Sequence, residues 1–189
     1  LPNQKTGIVP NKKWKKEKMG ESWYAGETLI SAIGQGFVLT NPFQLAVMTS
    51  IIASNGKNIE PTIIKGNRIS FKTNDKYSKE IKIIKKAMFK VVNENKGTAF
   101  NSRLQDIKFA GKTGTSQVRR ISLSERESDD FREKEQEWKN RDHALFVGYM
   151  PYDDPKYSIS VIIEHGGSGA STAAPIAKQI FNYINELEV

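Results

Sequence analysis

GKTGTSQV, residues 111–118, decides how this chain is read. The wider stretch 107–118 is predicted as a strand, yet it carries a lysine, two threonines and a glycine at its middle. Strand alternation puts Phe109, Gly111, Thr113, Thr115 and Gln117 on one face and Lys112, Gly114 and Ser116 on the other. A central strand would not hold Lys112 among so many small polar residues, whereas an edge strand facing a cleft would. Gly114 lets a ligand's backbone come close. Thr113 and Thr115 can donate hydrogen bonds to a carboxylate. An edge N–H can point at a developing oxyanion, and Lys112 supplies positive charge. Together these groups make a receptor for an acyl substrate with a nearby carboxylate. The bland alternative is an edge lysine that blocks aggregation, beside threonines chosen for β-propensity.

The flanking sequence sets the strand in an α+β pattern. HALFVGYM (143–150) and KYSISVIIE (156–164) flank Pro151-Tyr152-Asp153-Asp154-Pro155, a turn sequence that makes these two strands antiparallel. HGGSG (165–169) then connects to a helix predicted over 172–187, with Ile176, Ile180, Ile184 and Leu187 on one face and Pro175 tolerated in the first turn. Residues 119–142 mix both charge signs with few apolar side chains and are expected to form a solvated, mobile excursion. Upstream, Tyr77, Ile81, Ile84, Met88 and Val91 recur at helical spacing and predict a helix over 77–95, stopped by Gly97. Thr40-Asn41-Pro42 opens another helix. Its run from Phe43 to Ala53 is nearly all apolar, which predicts burial, and Asn55-Gly56 ends it. Residues 59–64 and 67–71 suggest a short strand pair. Residues 1–28 read as loop, with Trp14, Trp23 and Tyr24 as packing anchors. Everything after residue 28 reads as one domain or part of one.

Composition narrows the classes. The absence of cysteine excludes disulfides and thiolate metal ligands. His143 and His165, the only histidines, lack a metal-ligand spacing, so no metal site is expected. No apolar run approaches the roughly 20 residues that span a bilayer, and no signal sequence opens the chain. A start at Leu1-Pro2-Asn3 without methionine suggests a mature or excised piece. The net charge of +8 suits a nucleic acid, an anionic membrane or wall polymer, or merely a lysine-rich genome. The mixed signs and sparse aromatics of 119–142 argue against a nucleic-acid site there.

Lys-Thr-Gly is also the third motif of penicillin-binding proteins and β-lactamases, after Ser-x-x-Lys and Ser-x-Asn. WYAGETLISAIGQGFVLTNPFQLA, NKGTAF, AGKTGTSQV, RDHALFVGYMP and EHGGSGASTAAPIAKQIF occur in the order of one family. The chain resembles the transpeptidase domain of class B penicillin-binding proteins, of the penicillin-binding protein 2 type, from end to end. The resemblance implies the C-terminal portion of a transpeptidase/β-lactamase-like fold over 1–189, an antiparallel sheet flanked by helices. It implies that Lys112 organises the site electrostatically, that the Thr113 and Thr115 hydroxyls hold a substrate or β-lactam carboxylate, that the Thr115 N–H serves the oxyanion hole, and that Gly114 gives access. It further implies peptidoglycan stem peptides as substrate and β-lactams as inhibitors, no cofactor, and a parent protein anchored in the bacterial inner membrane and facing the periplasm. There it would act in wall elongation with a polymerase and scaffold proteins.

The departures are equally informative. Family catalysis needs a serine with a lysine one helical turn on, at a helix start. The only Ser-x-x-Lys is Ser54-Asn55-Gly56-Lys57, at a helix end with Asn-Gly inside it, and Ser-x-Asn is absent. No nucleophile is therefore expected in this chain, which alone should be inactive. The family sheet has five strands, and its two outer ones precede the serine. The strand at 156–164 is then expected to leave an edge open for pairing with another copy. Two rivals remain: a small β-lactamase-type hydrolase using Ser54, and a non-catalytic sensor or scaffold that binds wall fragments through Lys112. Gly34-Gln35-Gly36 reads as a tight helix–loop packing site, and His165-Gly166-Gly167 as a turn or a cleft mouth.

Overall fold

A computed structural model describes residues 5–64, 75–118 and 137–188. Its backbone forms two compact units, a smaller one ending at Gln44 and a larger one from Leu45 onward.

The smaller unit contains two helices, α1 (Lys12–Met19) and α2 (Ala25–Ala32). This corrects the reading of residues 1–28 as loop. The Asn11 side chain accepts from the Trp14 N–H at 2.9 Å, and Gly20 closes α1 in the left-handed conformation, so both helix signals were in place. Lysine is a good helix former. The unusual feature is Lys15, only 2% exposed, whose ammonium pairs with Glu27 at 2.7 Å and Glu21 at 3.3 Å and lies over the Tyr24 ring. Burial alone would pull Lys15 down, but its hydrogen bonds to the two carboxylates outweigh that and raise it. Of the predicted anchors, Trp14 packs on Phe37 with ring centroids 5.5 Å apart, whereas Tyr24 stays largely exposed. Gly34 and Gly36 both take positive φ and end α2, with the Gln35 N–H donating to the Ile30 carbonyl. That is the tight packing turn expected.

The division between the units falls within α3 (Pro42–Ala53). Asn41 caps this helix reciprocally: its Oδ1 accepts from the Gln44 N–H, and Gln44 Oε1 accepts from the Asn41 N–H. Only Thr49 and Ala53 of α3 are buried, and Met48 remains 43% exposed, so the expected full burial is corrected. Its apolar side chains are spread all round, and one side alone meets the sheet, where Ser50 Oγ lies 2.6 Å from Ser158 Oγ. Residues 59–64 form no strand, and 67–71 and 119–136 lie outside the described residues.

The larger unit continues through α4 (Ser78–Asn93), β1 (Ala110–Ser116), β2 (His143–Met150), β3 (Tyr157–Ile163) and α5 (Ala174–Glu188). The three strands form an antiparallel sheet in the order β1-β2-β3, with Thr113 opposite Phe146, Gly114 opposite Leu145, and Val147 opposite Ser160. Strand alternation splits the sheet into two faces. On one, Phe109, Phe146, Met150 and Val161 pack with Ala174, Ala177 and Phe181 of α5. On the other, Ala110 and Tyr149 pack with Ala53 of α3 and Met88 of α4.

Both amphipathic helices are rotated from their predicted stripes. In α4 the buried residues are Met88 and Val92, while Ile84 is exposed. In α5, Ala177 and Phe181 are fully buried, whereas Ile180 and Leu187 face water. Small alanines let the α5 backbone approach the sheet closely, and Phe181 fills the remaining depth against Phe109, 5.1 Å between centroids. The larger isoleucines fit only at the flanks.

Candidate active site

Among the described residues strand β1 lies on a margin of the sheet, as its composition predicted, and displays Lys112, Thr113, Gly114 and Thr115. Lys112 is exposed, and its ammonium donates to the Thr113 carbonyl at 2.6 Å. The lysine thus bends along its own strand. Thr113 and Thr115 fall on the alternate set of positions. The Thr113 hydroxyl meets that of Thr98, 2.8 Å away.

Thr98 carries no role in the sequence reading, although NKGTAF helped to mark the family. Its place follows from the turn that ends α4. The Glu94 N–H closes the helix on the Lys90 carbonyl, the Gly97 N–H returns to the Glu94 carbonyl, and the Ala99 N–H reaches back to Val91. A Cβ on Gly97 would stand 2.2 Å from the Val91 carbonyl oxygen, so only glycine fits. This turn brings Thr98 to β1. Asn93 adds a second tie, donating to the carbonyls of Phe89 and Phe109, each at 2.9 Å.

Gly114 is also a packing position. A Cβ there would meet Leu145 Cβ at 3.3 Å, and the backbone of Gly114 is also the floor on which Gly169 rests. A Cβ on Gly169 would stand 2.3 Å from the Gly114 oxygen and 2.4 Å from the Leu145 oxygen. Gly169 opens the π-turn Gly169–Ala173 that leads into α5. The missing side chain at 169 is therefore what lets the connection lie flat on the site strand.

The histidines form a clamp near the end of β1. The His165 N–H donates to His143 Nδ1 at 2.9 Å, His165 Nδ1 lies 3.0 Å from the Arg141 carbonyl, and the Gly167 N–H donates to the Asp142 carbonyl. Trp138 covers His165 at 4.5 Å. His165 adopts a φ of 53° and Gly167 one of 77°, so the segment is a turn, and β2 begins at His143. Among the described residues no group of three potential ligands could hold a metal ion.

Ser54 does not join the site. Its hydroxyl donates to the Ile51 carbonyl just beyond α3, and Asn55 and Gly56 turn the chain with φ of 59° and 88°. The helical turn that would set Lys57 beside Ser54 is absent.

Comparison with known proteins agrees with this geometry. The family described as penicillin binding protein transpeptidase domain matches residues 1–182. Peptidoglycan D,D-transpeptidase MrdA of Acinetobacter baumannii is 34% identical over 198 residues, covering 97% of this chain and 28% of that protein. MrdA of Haemophilus influenzae is 33% identical over 189 residues, covering 93% and 28%. Penicillin-binding protein 2 of Helicobacter pylori, solved in complex with MreC, has a TM-score of 0.83 at 34% identity, over 99% of this chain and 32% of that one. Pseudomonas aeruginosa penicillin-binding protein 2 in complex with WCK 5153 has a TM-score of 0.72 at 30% identity, over 97% and 39%. The helices and three-stranded antiparallel sheet match these structures. The chain spans under a third of the length of these two MrdA proteins.

Proposed function

The chain belongs to the penicillin-binding protein transpeptidase domain family, with the MrdA (penicillin-binding protein 2) enzymes, and from that premise we propose that it forms the Lys-Thr-Gly wall of a peptidoglycan D,D-transpeptidase site within a longer protein. What carries the reading is Lys112-Thr113-Gly114-Thr115 on a marginal strand of the sheet, braced by Thr98 and Gly169. In the proposed reaction a serine from outside this chain attacks the amide of a D-Ala-D-Ala stem peptide. The serine oxygen bonds to the carbonyl carbon, the C–N bond breaks, and D-alanine leaves with a proton. An amine of a neighbouring strand then attacks the ester, closing the cross-link and restoring the serine hydroxyl.

Each wall residue has a part. Lys112 stabilises developing negative charge and orients the hydroxyl of the Ser-x-Asn motif, also from outside this chain. The Thr113 and Thr115 hydroxyls bind the carboxylate of the stem peptide or of a β-lactam, and the Thr115 N–H donates to the oxyanion. Gly114 keeps the approach open. No cofactor takes part. No described helix is long and apolar enough to cross a membrane, and the proposed anchor in the inner membrane belongs to another part of the parent protein. The MreC complex of the H. pylori relative supports an elongation scaffold as partner.

Fluorescent penicillin tests the proposal. The whole protein should be labelled covalently, Lys112→Ala should slow labelling at least a hundredfold, and this chain alone should take up none. Labelling of the isolated chain would sink the idea that its nucleophile lies elsewhere. Muropeptide binding without any acylation of the whole protein would instead favour the non-catalytic wall sensor. Strand β3 pairs with β2 alone among the described residues, which supports pairing of isolated copies through β3. Light scattering on the isolated chain should then show dimers.

A further inference from the structure

A second site lies away from the Lys112 edge, between the end of α3, the face of α4 and the β2–β3 turn. It is an open groove of about 520 Å³ lined by Asn55, Lys82, Lys85, Lys86, Phe89 and Tyr152. That volume falls within the roughly 300–1,000 Å³ of ordinary ligand clefts.

Its charge is lopsided. Lys82, Lys85, Lys86 and Lys90 stand at three- and four-residue spacing, so neighbouring ammonium groups share one side of α4 over about 12 Å. A row of like charges at that spacing opposes the helix that carries it. Among the described residues, Lys90 alone of the four has a carboxylate, Glu94 at 3.2 Å. Lys82 and Lys86 make no ion pair among the described residues. Lys85 is held by two neutral oxygens, the Ala53 carbonyl at 2.8 Å and Asn55 Oδ1 at 2.9 Å. It also lies over the Tyr149 ring, 5.7 Å from the centroid, and burial pulls its ammonium down from the usual lysine range, with no carboxylate beside it among the described residues. Beside the lysines the rings of Phe89 and Tyr152 meet at 4.5 Å, an apolar surface next to the cations.

We propose that this groove binds an acidic, extended segment of a partner protein, which presents carboxylates to Lys82 and Lys86 and one apolar side chain to the Phe89–Tyr152 rings. Charge complementarity sets the sign of the occupant. The recessed ring pair favours a peptide over a flat lipid surface, and Glu94 at one end repels a continuous polyphosphate. The site does not depend on the transpeptidase reading, since none of its lining residues belongs to the Lys112 edge.

The test uses the whole protein and a fluorescein-labelled Glu-Glu-Phe-Glu-Glu peptide, read by anisotropy at physiological salt. Lys82→Glu with Lys86→Glu should weaken binding at least tenfold, and Tyr152→Ala should weaken it severalfold. Lys12→Glu with Lys16→Glu, on α1, should leave it unchanged. Absence of peptide binding, or equal losses from both double variants, would overturn the proposal. So would phosphatidylglycerol vesicles that lose the protein when Lys82 and Lys86 are reversed while peptide binding persists. Penicillin labelling is run in parallel. A groove that binds peptide in a protein penicillin does not label would keep this proposal and remove the transpeptidase one.

Discussion

Gly169→Ala should damage the Lys112 edge from a position that has no part of its own in the proposed wall. The new Cβ would lie 2.3 Å from the Gly114 carbonyl oxygen, 2.4 Å from the Leu145 carbonyl oxygen and 2.9 Å from the Gly114 nitrogen, where ordinary contact begins at 3.4 Å. The overlap with two oxygens is therefore about 1 Å, and neither is the tip of a side chain that could swing away. Either the π-turn lifts or β1 bends. Lifting the turn drags Ala173, Ala174 and Ala177, all fully buried, off the sheet. Overpacking of this kind costs about 1–3 kcal/mol, and rigid backbone partners place it near the top of that range. At about 2–4 °C per kcal/mol for a unit of this size, the midpoint of thermal unfolding should fall by roughly 6–12 °C. Bending β1 instead misplaces the wall by a large part of an ångström, for which acylation can slow about a hundredfold. Differential scanning calorimetry and stopped-flow acylation by a fluorescent penicillin, both on the whole protein, read the two costs. Gly26→Ala is the control, because a Cβ there meets nothing within 4 Å and its φ is ordinary. It should be neutral or slightly stabilising. If Gly169→Ala matches the wild type in both assays, the close seating of the turn on Gly114 is refuted.

Three other changes probe separate parts of the molecule. Thr98→Val removes the hydroxyl beside Thr113 and should slow penicillin acylation roughly fivefold, the effect of one hydrogen bond of about 1 kcal/mol; Thr98→Ser should restore it, and a Val variant with wild-type rates would deny Thr98 its bracing role. Tyr149 is fully buried, its hydroxyl has no partner among the described residues, and burial drives its ionisation upward; Tyr149→Phe should raise stability by ~1 kcal/mol in urea unfolding, since an unsatisfied group is removed, and a comparable loss would reveal a partner. Glu27 is held below the usual carboxylate range by hydrogen bonds from the Lys15 ammonium and the Tyr24 N–H, so its stabilisation is present above the ordinary glutamate range and lost as pH falls through the lower folded value. Tryptophan fluorescence, which Trp14 and Trp23 report from the smaller unit, should show an acid transition that Glu27→Gln weakens, and an unaltered transition would argue against the pair.

Much of the backbone was legible because it rests on short-range rules. The limits of β2 and the antiparallel turn after it followed from alternation and from Pro151-Tyr152-Asp153-Asp154-Pro155. The start of α3 followed from Asn41-Pro42, and its end from Asn55-Gly56. The misreading of residues 1–28 is of another kind. Asn11 and Gly20 framed α1 in plain view, but the lysines between them carried no apolar stripe. What holds that helix includes a lysine buried against two carboxylates and a ring, and a hydropathy pattern weighs such a residue with the wrong sign. The rotated faces of α4 and α5 failed for a packing reason. Isoleucines were counted as core because they are the larger aliphatics, whereas α4 turns Met88 and Val92 inward, and in α5 close approach to the sheet selects alanine, with one deep phenylalanine.

The candidate site divides along the same line. By itself the sequence determined that Lys112, Thr113, Gly114 and Thr115 share one marginal strand, that neither Ser54 nor any other serine stands in the required Ser-x-x-Lys context, and which family the order of motifs resembles. These are properties of neighbours along the chain, where spacing dictates geometry. Only the tertiary structure decided that Thr98 meets Thr113, that Gly169 must lack a side chain because Gly114 lies beneath it, and that lysines of α4 share a groove with Tyr152. Those pairs are separated by 15 to 70 residues, and their contact depends on how helices and turns seat on the sheet. No local rule carries that information, because it arises from the volumes that the packed core leaves unfilled.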